Sequence, residues 1–309
     1  MQIPMRISEN FVSPSYPTKN LDSVTSYFHA DELLYLFCTA KKSNEILVFD
    51  GKSGELINTF GGTGNGSGKL QRPNGVAVFK NYLIITERDN HRLQVFSLPD
   101  FKSIATLGGN ILTRPYGIWI KPTIYSNVCH AFVTNQPEEG PGQILKFELT
   151  FYEEMASSKF IKAFGQDLFK YDLESICGDS ELNRLLVAQE SDSNPHILYF
   201  DLQENKLLGK MGQGIFSADP EGIVLYPTGK NTGYWICTDQ RKEKSVFHIF
   251  DRSTLKYITS FDGNHTANTD GISISMDPKP PRIFAVDDDA RVTSFILPDS
   301  FAPAAKPKK

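Results

Sequence analysis

Gly75-Val76-Ala77-Val78-Phe79, Tyr82-Leu83-Ile84-Ile85-Thr86, Arg92-Leu93-Gln94-Val95-Phe96-Ser97 and Ser103-Ile104-Ala105-Thr106-Leu107 follow one another in a single stretch of the chain. Each is a run of strand-forming residues, and a polar corner or tight turn separates each from the next. The same order recurs on both sides. Leu33–Thr39, Glu45–Asp50 and Glu55–Phe60 precede it, and Tyr116–Lys121, Ala131–Thr134, Gln143–Leu149 and Phe160–Phe164 follow. Three more units run from Leu173–Gly178 to Lys210, from Glu221–Tyr226 to Phe261, and from Gly271–Ser275 to Leu297. Short strands at this spacing indicate an all-β fold, and a repeat of about 40 to 55 residues indicates propeller blades of about four strands. The expectation is an all-β, six-bladed β-propeller in one domain over residues 1–300, with residues 301–309 as a solvated tail.

The last unit holds three clear strands, Ile272–Met276, Arg282–Val286 and Val292–Leu297. An open blade edge invites aggregation, so the N-terminal segment Met5–Val12 is expected to supply the missing strand. The one helical expectation is a single turn within Glu153–Lys159.

Composition narrows the function. The 309 residues have 40% hydrophobic content, 22 Phe and 12 Tyr, which suits a strand-rich core. A net charge of -4 lacks the basic footprint of a nucleic-acid binder. No apolar run approaches the ~20 residues of a membrane-spanning helix, and the N-terminus does not read as a signal peptide. Cys38, Cys129, Cys177 and Cys237 lack metal-knuckle spacing, and free buried thiols are expected. The six His (29, 91, 130, 196, 248 and 265) show no ligand spacing and read as mostly surface residues. The Gly61–Gly68 stretch lacks the ending and following helix of a phosphate loop and reads as an inter-blade loop.

Four carboxylate motifs lie at corresponding places in the second half: Leu173-Glu174-Ser175, Ala188-Gln189-Glu190, Asp219-Pro220-Glu221-Gly222 and Thr269-Asp270-Gly271. Each adjoins a strand run, so in a propeller the acids converge on one end. Carboxylates gathered without neutralising partners attract cations, and an oxygen-only donor set suits calcium. Asp287-Asp288-Asp289 is different, because adjacent acids in a strand alternate faces; a solvated turn is expected there.

Two resemblances follow from these residues. Arg72-Pro73-Asn74-Gly75-Val76-Ala77-Val78 with Asp89-Asn90-His91-Arg92-Leu93-Gln94-Val95-Phe96 resembles an NHL repeat, a propeller blade motif. Thr39-Ala40-Lys41-Lys42-Ser43, then Asp219–Ile223 with Gly233-Tyr234-Trp235 and Asp239-Gln240, then Thr269–Ile272, resembles in order the β-propeller phytases. That second resemblance implies a calcium-dependent hydrolase of phytate, an inositol polyphosphate, in which a metal-activated water attacks directly. It implies several Ca2+ ions held by Asp22, Glu174, Glu190, Asp219, Glu221, Gln240 and Asp270. Lys41, Lys42 and Arg88 would grip substrate phosphates, and Tyr116 would be a site tyrosine. Lys41, Arg88, Tyr116 and Glu174 would carry the catalysis.

The chain also departs from that pattern. Gln136 stands at a substrate contact where the family has Lys, the loop Asp262–Asn268 is shorter, and Ala188-Gln189-Glu190-Ser191 keeps one acid where the family has more. The expected partner is a phosphorylated small molecule, with no nucleic acid, no membrane span and a monomeric chain. The family resemblance implies a secreted or periplasmic protein; a cytoplasmic one fits the N-terminus. Lys41 and Lys42 also read as a solvated hairpin, Arg88 as a partner of Glu87 or Asp89, and Tyr116 as a core aromatic. Three functions stay open: a phytase, a related metal-dependent hydrolase of another ester, and a non-catalytic NHL-like binding propeller.

Overall fold

The structure, a computed structural model, describes residues 3–29, 33–137, 139–166, 168–169, 172–190 and 193–298. It is an all-β, six-bladed propeller with no helix among these residues, and hence none long and apolar enough to cross a membrane. The N-terminus opens with two short strands, β1 (Met5–Arg6) and β2 (Phe11–Val12). Blade one follows with β3 (Leu21–Phe28), β4 (Leu34–Ala40), β5 (Glu45–Asp50) and β6 (Leu56–Gly61). Blade two holds β7 (Pro73–Phe79), β8 (Tyr82–Glu87), β9 (Arg92–Ser97) and β10 (Ser103–Leu107). Blade three holds β11 (Pro115–Pro122), β12 (Val128–Asn135), β13 (Gln143–Tyr152) and β14 (Met155–Phe164). Blade four holds β15 (Leu173–Asp179), β16 (Arg184–Gln189), β17 (Ile197–Asp201) and β18 (Leu207–Met211). Blade five holds β19 (Pro220–Pro227), β20 (Gly233–Asp239), β21 (Val246–Asp251) and β22 (Tyr257–Asp262). Blade six adds β23 (Ile272–Ser275), β24 (Arg282–Asp287) and β25 (Arg291–Ile296).

Each blade is an antiparallel meander, and its first strand faces the central axis, where β3, β7, β11, β15, β19 and β23 pack side by side in a closed ring. Both faces of a blade are covered by its neighbours. That is why the second strands read as continuous apolar runs, such as buried Leu36, Phe37 and Cys38, rather than as alternations. Six apolar clusters result, each shared by two adjacent blades; one joins Phe79, Ile84 and Leu93 of blade two to Val133, Leu145 and Phe147 of blade three. Cys38, Cys129 and Cys237 are buried free thiols, and Cys177 is half-buried and also free.

The N-terminal segment closes the circle, as its sequence suggests, but with two strands. β2 pairs antiparallel with β25 and completes blade six, and β1 pairs parallel with β22 as a fifth strand of blade five. Between them, Glu9 works as a latch. Its Oε1 accepts the N–H groups of His265 (2.9 Å) and Thr266 (3.0 Å) and the Thr266 hydroxyl (2.9 Å), and its Oε2 accepts the Asn264 N–H (3.0 Å). Burial pushes this carboxyl up, but the backbone donors outweigh burial and hold it at about 2.

Four expectations need correction. The first strand run begins at Leu21, not Leu33: Leu21–Phe28 is the inner strand of blade one. Its Ser, Thr and Tyr residues mask it in an apolar reading. Residues 153–159 form no helical turn; Glu153 and Glu154 make the β13–β14 hairpin, and Lys159 pairs across the sheet with Glu148. The triple acid is only partly solvated, since Asp287 is fully buried, accepting the Ala267 N–H (2.9 Å) and pairing with Arg291 (2.8 Å). The histidines are not mostly external either: His196 and His248 are buried, while His91 and His265 are exposed. The expected tail over residues 301–309 lies outside the described residues, as does Ser191.

The latch yields a test. Its carboxylate is held below the unfolded value, so its contribution is present at neutral pH and is lost as pH falls from about 4.5 toward 2. Glu9→Ala should lower stability at pH 7 by about 1–2 kcal/mol, discounted for partial solvent exposure, and the gap from wild type should shrink toward pH 2–3 in chemical denaturation. An unchanged denaturation midpoint at pH 7 refutes the latch.

Candidate functional site at the channel mouth

One three-residue pattern recurs six times where the inner strands begin: Asp22-Ser23-Val24, Asn74-Gly75-Val76, Tyr116-Gly117-Ile118, Glu174-Ser175-Ile176, Glu221-Gly222-Ile223 and Asp270-Gly271-Ile272. In blades one to five, the pairing of first and second strands slips by one residue there. Leu21 faces Ala40 and Val24 faces Cys38, so two residues oppose Thr39; the same step falls between Pro73 and Val76, Pro115 and Ile118, Leu173 and Ile176, and Pro220 and Ile223. Such a bulge re-aims a side chain. Here it presents the first residue of each triplet at one mouth of the channel.

The residue after it is small because neighbouring inner strands are crowded. A Cβ on Gly75 would stand 2.4 Å from the Tyr116 carbonyl oxygen, and one on Gly271 2.6 Å from that of Asp22. Threonines opposite the bulge satisfy its backbone and tie adjacent blades together. Thr86 Oγ1 donates to the Tyr116 carbonyl (2.5 Å), and Thr134 Oγ1 donates to that of Glu174 (3.0 Å). The third residues, Val24, Val76, Ile118, Ile176, Ile223 and Ile272, line the cavity of about 440 Å³ that continues down the axis. The mouth therefore stands over a cavity whose lining mixes these aliphatic residues with Ser23, Thr25, Ser175 and Ser273.

The second strand of each blade ends beside this ring and brings a second set of groups. Lys41, Arg88, Gln136, Glu190 and Gln240 each follow the last residue of their strand, each held by a backbone N–H bond to the segment before the blade's inner strand. For Gln240 that acceptor is the Asp219 carbonyl, at 3.0 Å.

The mouth has two electrostatic halves. In one, Asp22 is fully buried and supplied with donors: Lys41 Nζ (2.7 Å) and the Tyr116 hydroxyl (2.9 Å) on Oδ1, and the Ser23 hydroxyl (3.2 Å) and Asn74 Nδ2 (3.5 Å) on Oδ2. Asp270 accepts from Gln240 Nε2 and lies 3.9 Å from Lys41. Burial alone would lower the Lys41 ammonium, but Asp22 and Asp270 reverse that and raise it, so it stays charged. In the other half, Glu174, Glu190 and Glu221 bring carboxylate oxygens within 4.8 Å of one another. Glu174 and Glu221 form no ion pair with Lys or Arg among the described residues, and the buried Glu174 Oε2 has no hydrogen-bond partner. Burial first, then the charges of Asp22 and Glu190, push the Glu174 carboxyl up to about 8. Burial and the Glu174 charge raise Glu221 well above the usual carboxylate range.

Other buried acids of the fold show the contrast. Glu87 is met by Arg92 (2.7 Å) and Gln94 (2.8 Å), Asp179 by Arg252 (2.6 Å), and Asp239 by Arg241 (2.6 Å) and the Ala218 N–H (2.7 Å). Those acids hold loops and blades together. Glu174 and Glu221 have no such arginine among the described residues, and the oxygen-only donors of the group, with Glu174 Oε2 buried and unpartnered, fit a hard divalent cation.

Beside this group, a cleft is lined by Arg88, Arg114, Tyr116, Gln136, Asp172, Leu173 and Glu174. Arg88 has Asp89 at 3.9 Å, and Arg88 and Arg114 also border an outer recess with His91. Arg88 and Arg114 thus share a cleft with Glu174. Of the other residues singled out by sequence, Lys42 is exposed on the turn after Lys41. Asp219 is half-buried and is not part of the close Glu174 group. Asp262 pairs with Arg6 (2.6 Å) of β1, at the outer edge of blade five. Gly61–Gly68 is fastened by Arg92 to the Asn65 carbonyl (2.7 Å) and by Gln94 to the Gly68 N–H (2.7 Å).

Sequence reasoning missed Asn74, Arg114 and Asp289, the last of which adjoins Asp270 and helps to raise it. The sixfold triplet would have found Asn74. Arg114 sits three residues before Gly117, as Arg72 does before Gly75, and that spacing was readable too. Asp289 comes into reach only through the β24–β25 turn.

The NHL repeat family matches residues 70–96, the segment leading into blade two and its first three strands. No curated protein sequence matches the chain. Among solved structures, it is similar to a chain of a nidogen/laminin complex (TM-score 0.58, 14% identity, covering 83% of this chain and 85% of that one). It is also similar to the Kuenenia stuttgartiensis hydrazine synthase (0.57, 10%, 92% and 97%) and the Myceliophteria thermophila Cps50 (Swd1) β-propeller domain (0.54, 9%, 93% and 99%). At these identities the likeness is one of fold: this is a β-propeller carrying an NHL repeat.

A pH experiment tests the acid cluster. Glu174 is raised above its unfolded value, so the cation-free protein binds more protons folded than unfolded between about 4.5 and 8. Its stability should therefore fall as pH rises through that window in EDTA, and millimolar calcium should remove most of the loss. A melting temperature in EDTA that does not fall over that range, or one that calcium leaves unchanged at pH 8, contradicts the arrangement.

Proposed function

We propose that the protein is a calcium-dependent phosphomonoester hydrolase of the β-propeller phytase kind, acting on an inositol polyphosphate such as phytate. The observation that carries this reading is the adjacency of two unlike groups: the Glu174, Glu190 and Glu221 oxygens, and the cleft bearing Arg88 and Arg114. A phosphate monoester is a dianion near neutral pH, and acids alone would repel it. Acids that hold a cation, next to guanidinium groups that hold phosphoryl oxygens, resolve that conflict. The resemblance of Thr39–Ser43, Asp219–Ile223 and Thr269–Ile272 to the phytases supports the same reading.

Glu174, Glu190 and Glu221 would hold the ion. Bound calcium would supply charge neutralisation at the phosphoryl oxygens and an acidified water. Arg88 and Arg114 would fix the phosphate plane by paired N–H donors, and Gln136 would add a neutral contact where the family has a positive one. Lys41 would add fixed positive charge behind the phosphate, and Tyr116, tied to Asp22, would fix the cleft wall between the two halves.

Phosphate release from phytate should require calcium and cease with a chelator. Glu221→Gln should reduce it by at least about 100-fold, and Arg88→Ala should reduce kcat/KM by about 10- to 100-fold. The NHL match is equally compatible with a second reading, a propeller that binds and does not catalyse. Calcium-dependent stabilisation with no turnover of phytate or a simple phosphate monoester would select that reading.

A further inference from the structure

The unequal halves of the mouth carry a conclusion about how many ions it holds. Every carboxylate oxygen of Asp22 has a protein donor: Oδ1 has Lys41 and Tyr116, and Oδ2 has Ser23 and Asn74. On Asp270, Gln240 occupies Oδ1, and the Lys41 ammonium stands 3.9 Å from Oδ2. Asp22 belongs to blade one and Asp270 to blade six, which adjoin where the propeller closes. Lys41 therefore sits between two acids of neighbouring blades, the place that a bridging cation would take. Its stem is fixed, since it follows β4 directly, its N–H bonds the Asn20 carbonyl (2.8 Å), and its ammonium lies 6.0 Å from the centre of the Tyr116 ring.

We propose that Lys41 is a built-in cation for the Asp22–Asp270 half, so that the mouth takes one divalent ion, seated on Glu174, Glu190 and Glu221. This rests on the reading of the mouth as a divalent-cation site. Calcium takes six to eight oxygen ligands. Three carboxylates with water meet that need for one ion, while Lys41 already stands between the acids of the other half. The unpartnered buried oxygen on this half is the carboxylate Glu174 Oε2, whereas the one beside Asp22 is the neutral amide Oδ1 of Asn74. The Tyr116 hydroxyl, donating to Asp22 and close to Glu174, forms the boundary. A lysine here has two consequences. Phosphate would meet a smaller total positive charge than at a site of several ions, which suits a substrate with fewer phosphates. The fixed charge would also survive chelation, so half of the mouth stays organised without calcium.

Isothermal titration and equilibrium dialysis of calcium against the full chain test this. The wild type should bind one ion at the mouth, and Lys41→Arg, which keeps the charge, should also bind one. Lys41→Met should bind two, the second more weakly, and Glu174→Gln should lose the wild-type ion. Two or more mouth ions in the wild type overturn the proposal, as does a folded Lys41→Met that still binds one; Lys41→Gln replaces it should it fail to fold. Complete absence of calcium binding by the wild type would overturn the cation-site reading itself, whereas extra ions would overturn only the role given to Lys41.

Discussion

Six inner strands converge on one axis, and the crowding there sets nearly everything at the mouth. Adjacent backbones approach so closely that a Cβ on Gly75 would overlap the Tyr116 carbonyl. The chain answers with a bulge in each of blades one to five and a small residue after it. The bulge turns one side chain per blade toward the opening. The threonines on the second strand hold that geometry by bonding the displaced carbonyls of the next blade. A ring of functional side chains is thus a by-product of closing a circle of twisted sheets, and what differs between blades is only the residue offered.

The residues offered divide by electrostatics. Acids that staple the fold are matched with arginines or backbone N–H groups, as Asp179 is with Arg252 and Glu9 with the Asn264–Thr266 loop. At the mouth, Lys41 pairs with Asp22 and lies near Asp270, whereas Glu174 and Glu221 form no ion pair with Lys or Arg among the described residues. Burying carboxylates without partners costs stability, and proteins relieve that cost by binding protons or cations. The same feature would link pH, metal affinity and fold stability, because a cation seated there would have to displace protons held by raised carboxyls.

Much of this was legible from sequence. The meander of blade two was plain because its strands are apolar and its corners polar, and the closure by Met5–Val12 followed from an incomplete last blade. Leu21–Phe28 escaped, because an axial strand carrying Asp22, Ser23, Thr25 and Ser26 lacks an apolar signature. The helical turn within residues 153–159 failed because a hairpin corner rich in Glu, Met and Ala looks helical in isolation, while its pairing with β13 decides the outcome. The acids that gather at the mouth were singled out by motif, but the motif treated Asp22 and Glu174 alike.

The sequence by itself determined the number of blades, the order of most strands within them and the acids that blades four, five and six bring to the axis. These depend on local pattern and on a triplet repeated in register. Only the tertiary structure decided which charges meet. Lys41 lies far along the chain from Asp270, and Arg114 from Glu174, and their spacing is fixed by ring closure rather than by any local rule. Electrostatic energy depends on distance and burial, and neither exists until the blades have packed.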